Sequence, residues 1–429
     1  LSGPGGRRAM SMWGIGVAVY FVAVIFRTSL GVAGLQAQDR FEVGASALSA
    51  FSILQLLVYA GMQIPVGLLV DRFGTKHVLV AGSALFTCGQ LAFALSQTYG
   101  TALAARALLG CGDAMTFISV LRLGTVWFPV RRGPLIAQAA SLIGLGGNLV
   151  ATVVIVRVLG TWGWTTTFAG SSLAGVVVFV LVLAFLRNHP KGHEPPPGAQ
   201  RPAGAGFVRR QVAAAWREPG TRLGMWTHFT TQFPMTVFLL LWGMPFLTEA
   251  QGVSAAGAGG LLTLSVLSNL CVGLVYGQMI ARRPGVRLAL ALATVGVTAT
   301  FWAAVLLWPG RAPTALLVAL CLVLGACGPA SMIGFEFARP ANPADRQGTA
   351  SGIVNIGGFT ASMIMLLAVG VLLDVTGDDY RIAFAAVFVL QALGVTRMLT
   401  LRHATAVRER HVREGDLSPG GSTAREMRT

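Results

Sequence analysis

With 429 residues, 54% of them hydrophobic and only 11% charged, the chain lacks the polar surface of a soluble domain, where about a quarter of residues are charged. Its 54 glycines would signal loops in a soluble protein, but among long apolar runs they suit helices packed backbone to backbone in lipid. The net charge of +16 would suggest nucleic acid if it lay in basic patches interleaved with aromatics, and no such patch occurs outside the apolar runs.

A bilayer core about 30 Å thick takes roughly 20 apolar residues of helix. On that scale the first predicted span is 12–36, which follows Arg7 and Arg8. It is too long for a signal peptide and lacks a small-residue cleavage site, so it is read as a membrane helix. Arg27 sits near its middle, in VIFRTSLG. The second span, 45–70, carries Gln55, Tyr59 and Gln63 four residues apart, one polar stripe on a helix. It runs into GLLVDRFGTK, Gly67 to Lys76, and the third span follows at 77–96. The fourth, 99–128, holds Arg106 and, seven residues on, Asp113, which places both on one face; Arg122 lies on the opposite face. The fifth and sixth spans are 134–160 and 163–186.

Residues 187–220 read as a linker: Arg187 to Gly206 is rich in Pro, Gly and charge, and Phe207 to Gly220 predicts a short helix lying on the membrane surface. The seventh span, 221–250, brings His228 and Gln232 at helical spacing, together with Trp226, Phe233, Phe238 and Trp242. These aromatics are expected to wall a substrate cavity or to face lipid, at least two of them lipid. The remaining spans are 254–281, 286–308, 312–338, with Glu336 near its end, 346–373 and 379–400. Residues 401–429 mix Arg, Glu, Ser and Gly and are expected to be a disordered tail. All five cysteines lie in apolar runs without zinc-ligand or redox spacing, and read as packing residues.

With both termini in the cytoplasm, most of the 32 Lys and Arg fall on cytoplasmic segments, while the outer loops hold acids such as Asp39, Glu42, Asp374 and Asp378. The positive-inside bias therefore predicts that topology and accounts for the net charge. The halves, 1–186 and 221–400, also echo one another at an offset near 210. Gly67 and Arg72 recur as Gly277 and Arg282, and Gly146-Gly147 recurs as Gly357-Gly358 in the fifth span of each half, as expected of a transporter built from repeats. At that offset the counterparts of Arg27 and Asp113 are Val237 and Val323, both apolar.

Twelve spans, a central linker, the repeat and the 67–76 turn together resemble the major facilitator superfamily of secondary transporters over nearly the whole chain. Gly67, Asp71, Arg72, Gly74 and Lys76 stand where its first signature places them, with Thr75 in place of a basic residue; the second-half copy has Ala281 for the Asp. RALLGCGDA, with Arg106, Gly110 and Gly112, resembles its fourth-helix signature, but Asp113 stands where a small residue is usual. The fifth span has no Gly-Pro pair of the drug-antiporter kind, and no GxxxxGK[ST] loop of an ATP-driven pump is present.

The resemblance implies an all-α integral membrane fold of twelve transmembrane helices in two pseudo-symmetric six-helix bundles, rocking about a mid-membrane site, with no enzymatic activity and no cofactor. It puts the first, fourth and seventh helices around the cavity. Arg27 is then expected to anchor a substrate carboxylate, with Gln55, Tyr59, His228 and Gln232 as further substrate contacts. Asp113 is the expected proton-coupling carboxylate, and Arg106 its alternative partner in proton transfer or gating. The competing readings are a permanent Arg27–Asp113 ion pair, interhelical bonding for the neutral polar residues, and a satisfied or solvated His228. Gly67, Asp71, Arg72, Gly74, Lys76, Arg122 and Glu336 are assigned to a conformational gate, with Arg122 pairing Asp71 and Glu336 meeting Arg282, Arg283 or Arg339.

The function expected is proton-coupled uptake of a small organic anion by alternating access. The alternative is proton-driven efflux of a drug or metabolite, and a third is a non-transporting sensor on the same fold. The expected partners are a small-molecule substrate, protons and the lipid bilayer, with no nucleic acid. The expected setting is a monomer in a bacterial inner or plasma membrane.

Overall fold

A computed structural model describes residues 6–129, 133–189, 205–343 and 346–415. Helix α1 (Arg7–Val32) breaks at Ala33 and continues as α2 (Gly34–Phe41). Next comes α3 (Ala45–Leu95), whose 51 residues at about 1.5 Å each would reach twice across a bilayer. Gly74, at φ 78°, turns it back on itself; that left-handed conformation is one a residue with a Cβ adopts only under strain. The second and third spans are the two arms, and α4 (Tyr99–Trp127) is the fourth.

Helices α5 (Gly133–Val150) and α6 (Val156–Phe185) are joined through one wide turn, Ala151–Ile155. Eleven stretches among the described residues are long and apolar enough to cross a membrane, and one of them, Gly146–Phe185, is 40 residues long. It breaks at Gly163, φ 73°, so it makes the fifth and sixth crossings and brings the total to twelve. The sequence places that break between the same two spans.

After α7 (Ala205–Arg217), the seventh span starts as α8 (Pro219–Val237). It runs on through the short α9 (Gly243–Pro245), flanked by wide turns Phe238–Trp242 and Phe246–Ala250. Pro234 and Pro245 explain the looseness, because neither has an N–H to close a regular helical turn. The last five spans are α10 (Ala255–Arg282), α11 (Arg287–Leu306), α12 (Thr314–Ala338), α13 (Gln347–Thr376) and α14 (Tyr380–Gly415). The helix of α14 runs on to Gly415, past the expected start of the tail at 401. Residues 416–429, and 190–204 of the linker, lie outside the described residues.

The repeat has a packing basis. A Cβ on Gly147 of α5 would lie 2.9 Å from the Phe21 carbonyl of α1, and one on Gly357 of α13 would lie 2.6 Å from the Met225 carbonyl of α8. Each glycine pair thus lets the fifth helix of its half rest on the first. These contacts set the first-helix offset at 204, from Phe21 to Met225. The counterpart of Arg27 is therefore Thr231 rather than Val237. In the fourth helices Gly110 meets the Gln55 carbonyl and Gly325 the Ser265 carbonyl, so Asp113 matches Gly328 rather than Val323. The loops of the second half shift the register helix by helix, and both counterparts stay uncharged.

The halves meet along α1 against the seventh span, α3 against α13, and α5 against α10. Gly31 abuts the Leu239 and Leu240 carbonyls, and Thr152 and Thr263 share a 3.0 Å hydroxyl contact. Phe233, Phe238 and Trp242 are fully buried, which corrects the expectation that at least two of the seventh-span aromatics face lipid. Phe238 and Phe246 pack around Trp302, whose ring stacks on Phe384 at 4.7 Å. Those rings fill the loosely wound part of the span. Lipid-facing positions instead go to aliphatic residues such as Leu173, Val177, Leu183 and Val389.

Candidate substrate and coupling site

Arg27, twenty residues into α1, and Asp113, near the middle of α4, meet at mid-depth. Arg27 donates from Nη2 to Oδ1 of Asp113 at 3.0 Å, and its Nε lies 2.8 Å from Oδ2. The Asp113 side chain has no exposed surface, whereas 18% of Arg27 remains exposed. The cation therefore keeps some exposed surface and the carboxylate keeps none. The Tyr59 ring of α3 lies 4.9 Å from the guanidinium carbon, so the cation rests on an aromatic face. Gly110 and Gly112 allow this assembly, because Cβ atoms there would strike the Gln55 and Gly82 carbonyls of α3.

Arg106 does not pair with Asp113. Two helical turns separate them, about 10 Å along α4, and the Arg106 fork reaches instead across to α1. It donates to the carbonyls of Phe26 (3.2 Å) and Arg27 (3.0 Å), and to the Gln55 side-chain oxygen, while lying over the Phe93 ring. Completely buried, it holds the backbone from which the Arg27 side chain springs. Gln55 is likewise taken up by Arg106 rather than turned to the cavity; its amide nitrogen has no hydrogen-bond partner among the described residues. Gln63, the third member of the stripe, donates to the Tyr59 carbonyl.

The second half offers neutral groups. His228 of α8 is buried, with Nδ1 3.0 Å from the Ser331 carbonyl of α12 and its ring against Phe335. It is a satisfied histidine on that side and not a solvated one. The Gln232 side-chain oxygen is buried without a hydrogen-bond partner among the described residues. Both face Gly358 of α13, where a Cβ would collide with the Gln232 oxygen and with the His228 ring. The neighbouring Phe359 ring packs on Tyr59 at 5.5 Å. Through the Tyr59–Phe359 ring contact, the Arg27 end of the first half thus adjoins the α13 segment that carries Gly358. Sequence reading missed Phe359, although its place beside the repeated Gly357-Gly358 pair was a usable signal.

At the linker end, Gly74 turns against Asn188, whose side-chain oxygen accepts from the Lys76 N–H at 2.7 Å. Asn188, just beyond the sixth span, was not anticipated. Arg122 is half-buried on α4, and the side chains of Asp71 and Arg72, with Gly67, lie outside the described residues, as does the expected Asp71–Arg122 pair. Glu336 meets Arg339 at 3.8 Å as expected, but its other partner is Arg287 of α11 at 3.6 Å. Among the described residues no ion pair joins Glu336 to Arg282 or Arg283, at the end of α10.

Residues 9–338 match the sequence profile of the Major Facilitator Superfamily. The chain belongs to that superfamily. It is a membrane transporter and not an enzyme. Among its relatives, the probable sulfoacetate transporter SauU of Cupriavidus necator is 25% identical over 90% of this chain and 92% of its own. The probable galactarate/D-glucarate transporter GudP of Bacillus subtilis is 24% identical over 87% and 88%. The fold is also that of a bacterial homologue of the human lysosomal transporter Spinster in an inward-facing, unoccupied conformation (TM-score 0.71, 16% identity, 92% and 98% covered). A D-xylose-proton symporter gives a TM-score of 0.68 at 13% identity, with 91% and 97% covered. As a major facilitator transporter, this chain keeps its charged mid-depth chemistry in the first half and a neutral polar face in the second.

Proposed function

We propose that this transporter carries a small organic anion inward together with protons. The observation that carries the reading is the mid-depth Arg27–Asp113 pair, in which a partly exposed cation is held by a fully buried carboxylate. An entering carboxylate or sulfonate competes for the Arg27 fork, which is matched to two oxygens. Once Arg27 turns to the substrate, Asp113 is left buried without its cation. An isolated buried charge is costly, and taking up a proton removes that cost, so anion binding and proton binding favour one another.

Tyr59 lines the anchor, and His228 and Gln232 meet the far end of the substrate with neutral dipoles. Arg106 acts by positioning Arg27 rather than by carrying the proton. The substrates named for the relatives, sulfoacetate, galactarate and D-glucarate, are small organic anions, which supports the class of substrate. The charge bias of the loops supports a cell-membrane topology with both termini in the cytoplasm.

Purified protein in liposomes loaded with a pH-sensitive dye tests this. External carboxylates and sulfonates should acidify the lumen, Asp113→Asn should abolish the acidification, and Arg27→Ala should abolish binding. Alkalinisation of acid-loaded vesicles by cationic drugs, with Arg27 dispensable, would overturn the assignment.

A further inference from the structure

Helix α3 begins at the end of the bundle opposite the linker, and its first N–H groups have no partners within the helix. Its own N-cap residue, Gly44, has no side chain to supply one. The cap comes instead from the other half of the molecule. Asp374 accepts from the Ala45 N–H at 2.7 Å through Oδ1, and from the Ser46 N–H at 2.9 Å through Oδ2. A Cβ on Gly44 would stand 2.7 Å from that Oδ1, so the missing side chain is what admits the carboxylate.

The location of Asp374 is telling on electrostatic grounds. It lies two residues before the end of α13, where the helix dipole disfavours an anion, and no basic residue occupies that last turn. The charge is misplaced for its own helix and well placed for the N-terminus of α3. Below it the seam continues: the Ser49 hydroxyl donates to the Leu366 carbonyl at 2.7 Å, and Gly370 presses on Ser49 and Ala45. These hydrogen bonds between the halves lie on one seam, and another, Thr152 with Thr263, lies toward the same end.

We propose that Asp374 is a conformational latch: it holds the end opposite the linker closed, and its release from α3 is a step in opening the site toward that side. The helices it joins belong to different six-helix bundles, so rocking the bundles apart must break both bonds. The latch rests on the alternating access of the family and not on the anion or proton assignment.

The test uses the full chain in lipid vesicles without substrate, with the five native cysteines replaced by alanine. Spin labels at Gln36→Cys and Ala315→Cys, both exposed at this end, report the separation of the halves. Asp374→Asn keeps the volume but removes the charge and should raise the open-to-closed ratio on the order of tenfold, as expected for losing a charged cap. Ser49→Ala should shift it in the same direction by less, and Asp374→Glu should restore part of the closed population. Melting temperature is measured alongside. An unchanged distance distribution in Asp374→Asn, whether or not the protein melts earlier, would overturn the latch and leave a plain helix cap. A failure of anion-driven acidification leaves this outcome unaffected.

Discussion

The proposed exchange of Arg27 between Asp113 and substrate makes a counterintuitive prediction for Asp113→Asn. The substitution keeps the side-chain volume and removes the charge that holds the Arg27 fork, through the 3.0 Å Nη2–Oδ1 bond and the 2.8 Å Nε–Oδ2 contact. In the native protein an anion must displace those interactions before it gains its own. A hydrogen bond to a charged group contributes about 1.5–3 kcal/mol net. Sparing the ligand one such displacement should tighten binding by about ten- to a hundredfold, at 1.4 kcal/mol per tenfold.

Calorimetric titration of purified wild type and Asp113→Asn with a small carboxylate measures this directly. The variant should bind more tightly yet carry no protons, and the gain should vanish in the Arg27→Gln/Asp113→Asn double variant. Arg27→Gln alone leaves the buried carboxylate uncompensated and should cost roughly 3–5 kcal/mol of stability, most of it regained in the double variant. If Asp113→Asn binds the anion no better than wild type, or if its binding survives the loss of Arg27, the competition for the fork does not exist.

Three further outcomes follow from the same geometry. Arg106→Lys keeps the charge but cannot span the carbonyls of Phe26 and Arg27 and the Gln55 side chain together, so anion affinity should fall by about tenfold while the protein still inserts and proton coupling of the residual flux persists. Gly358→Ala drives a Cβ into Gln232 and His228 and should abolish uptake; Gly352→Ala, on the same helix with nothing within 4 Å, should be silent or stabilise by about 0.5–1 kcal/mol in thermal melts. Asp71→Asn in the linker-end turn should change turnover more than substrate affinity in liposome flux, and the reverse would remove Asp71 from the gate.

The architecture was open to reading because lipid leaves few solutions. Backbone groups must be satisfied within each segment, so apolar length and glycine punctuation nearly define the helices, and Gly74 and Gly163 turn where composition breaks. The Arg27–Asp113 pair was legible for a related reason, since charges at that depth need a partner. What sequence could not supply was direction around the helix. Arg106 shares a face with Asp113, yet at two turns' distance its long side chain finds α1 carbonyls that no sequence pattern advertises. Phe233, Phe238 and Trp242 carry an apolar signature equally suited to lipid and core, and only their tertiary neighbours, such as Trp302 against Phe238, decide for the core. Glu336 prefers Arg287 because α11 starts beside it, a neighbour set by a loop rather than by spacing.

The division of labour between the halves follows from these particulars. The first half holds both charges and the residue that positions them, so on the proposed reading it binds a proton or an anion with its own helices fixed. The second half contributes Thr231 and Gly328 at the equivalent places, and the His228–Gln232 face beside Gly358. Neutral dipoles bind weakly on their own but add directional contacts once a ligand is anchored on Arg27. A substrate long enough to touch both would therefore draw the second half toward the first across the Tyr59–Phe359 contact. A short anion such as acetate would satisfy Arg27 and release Asp113 without bridging the halves. Acetate should accordingly bind and take up protons but drive little net transport, whereas a longer hydroxylated carboxylate should do all three. Equal transport of both would show that the second half plays no part in recognising the substrate.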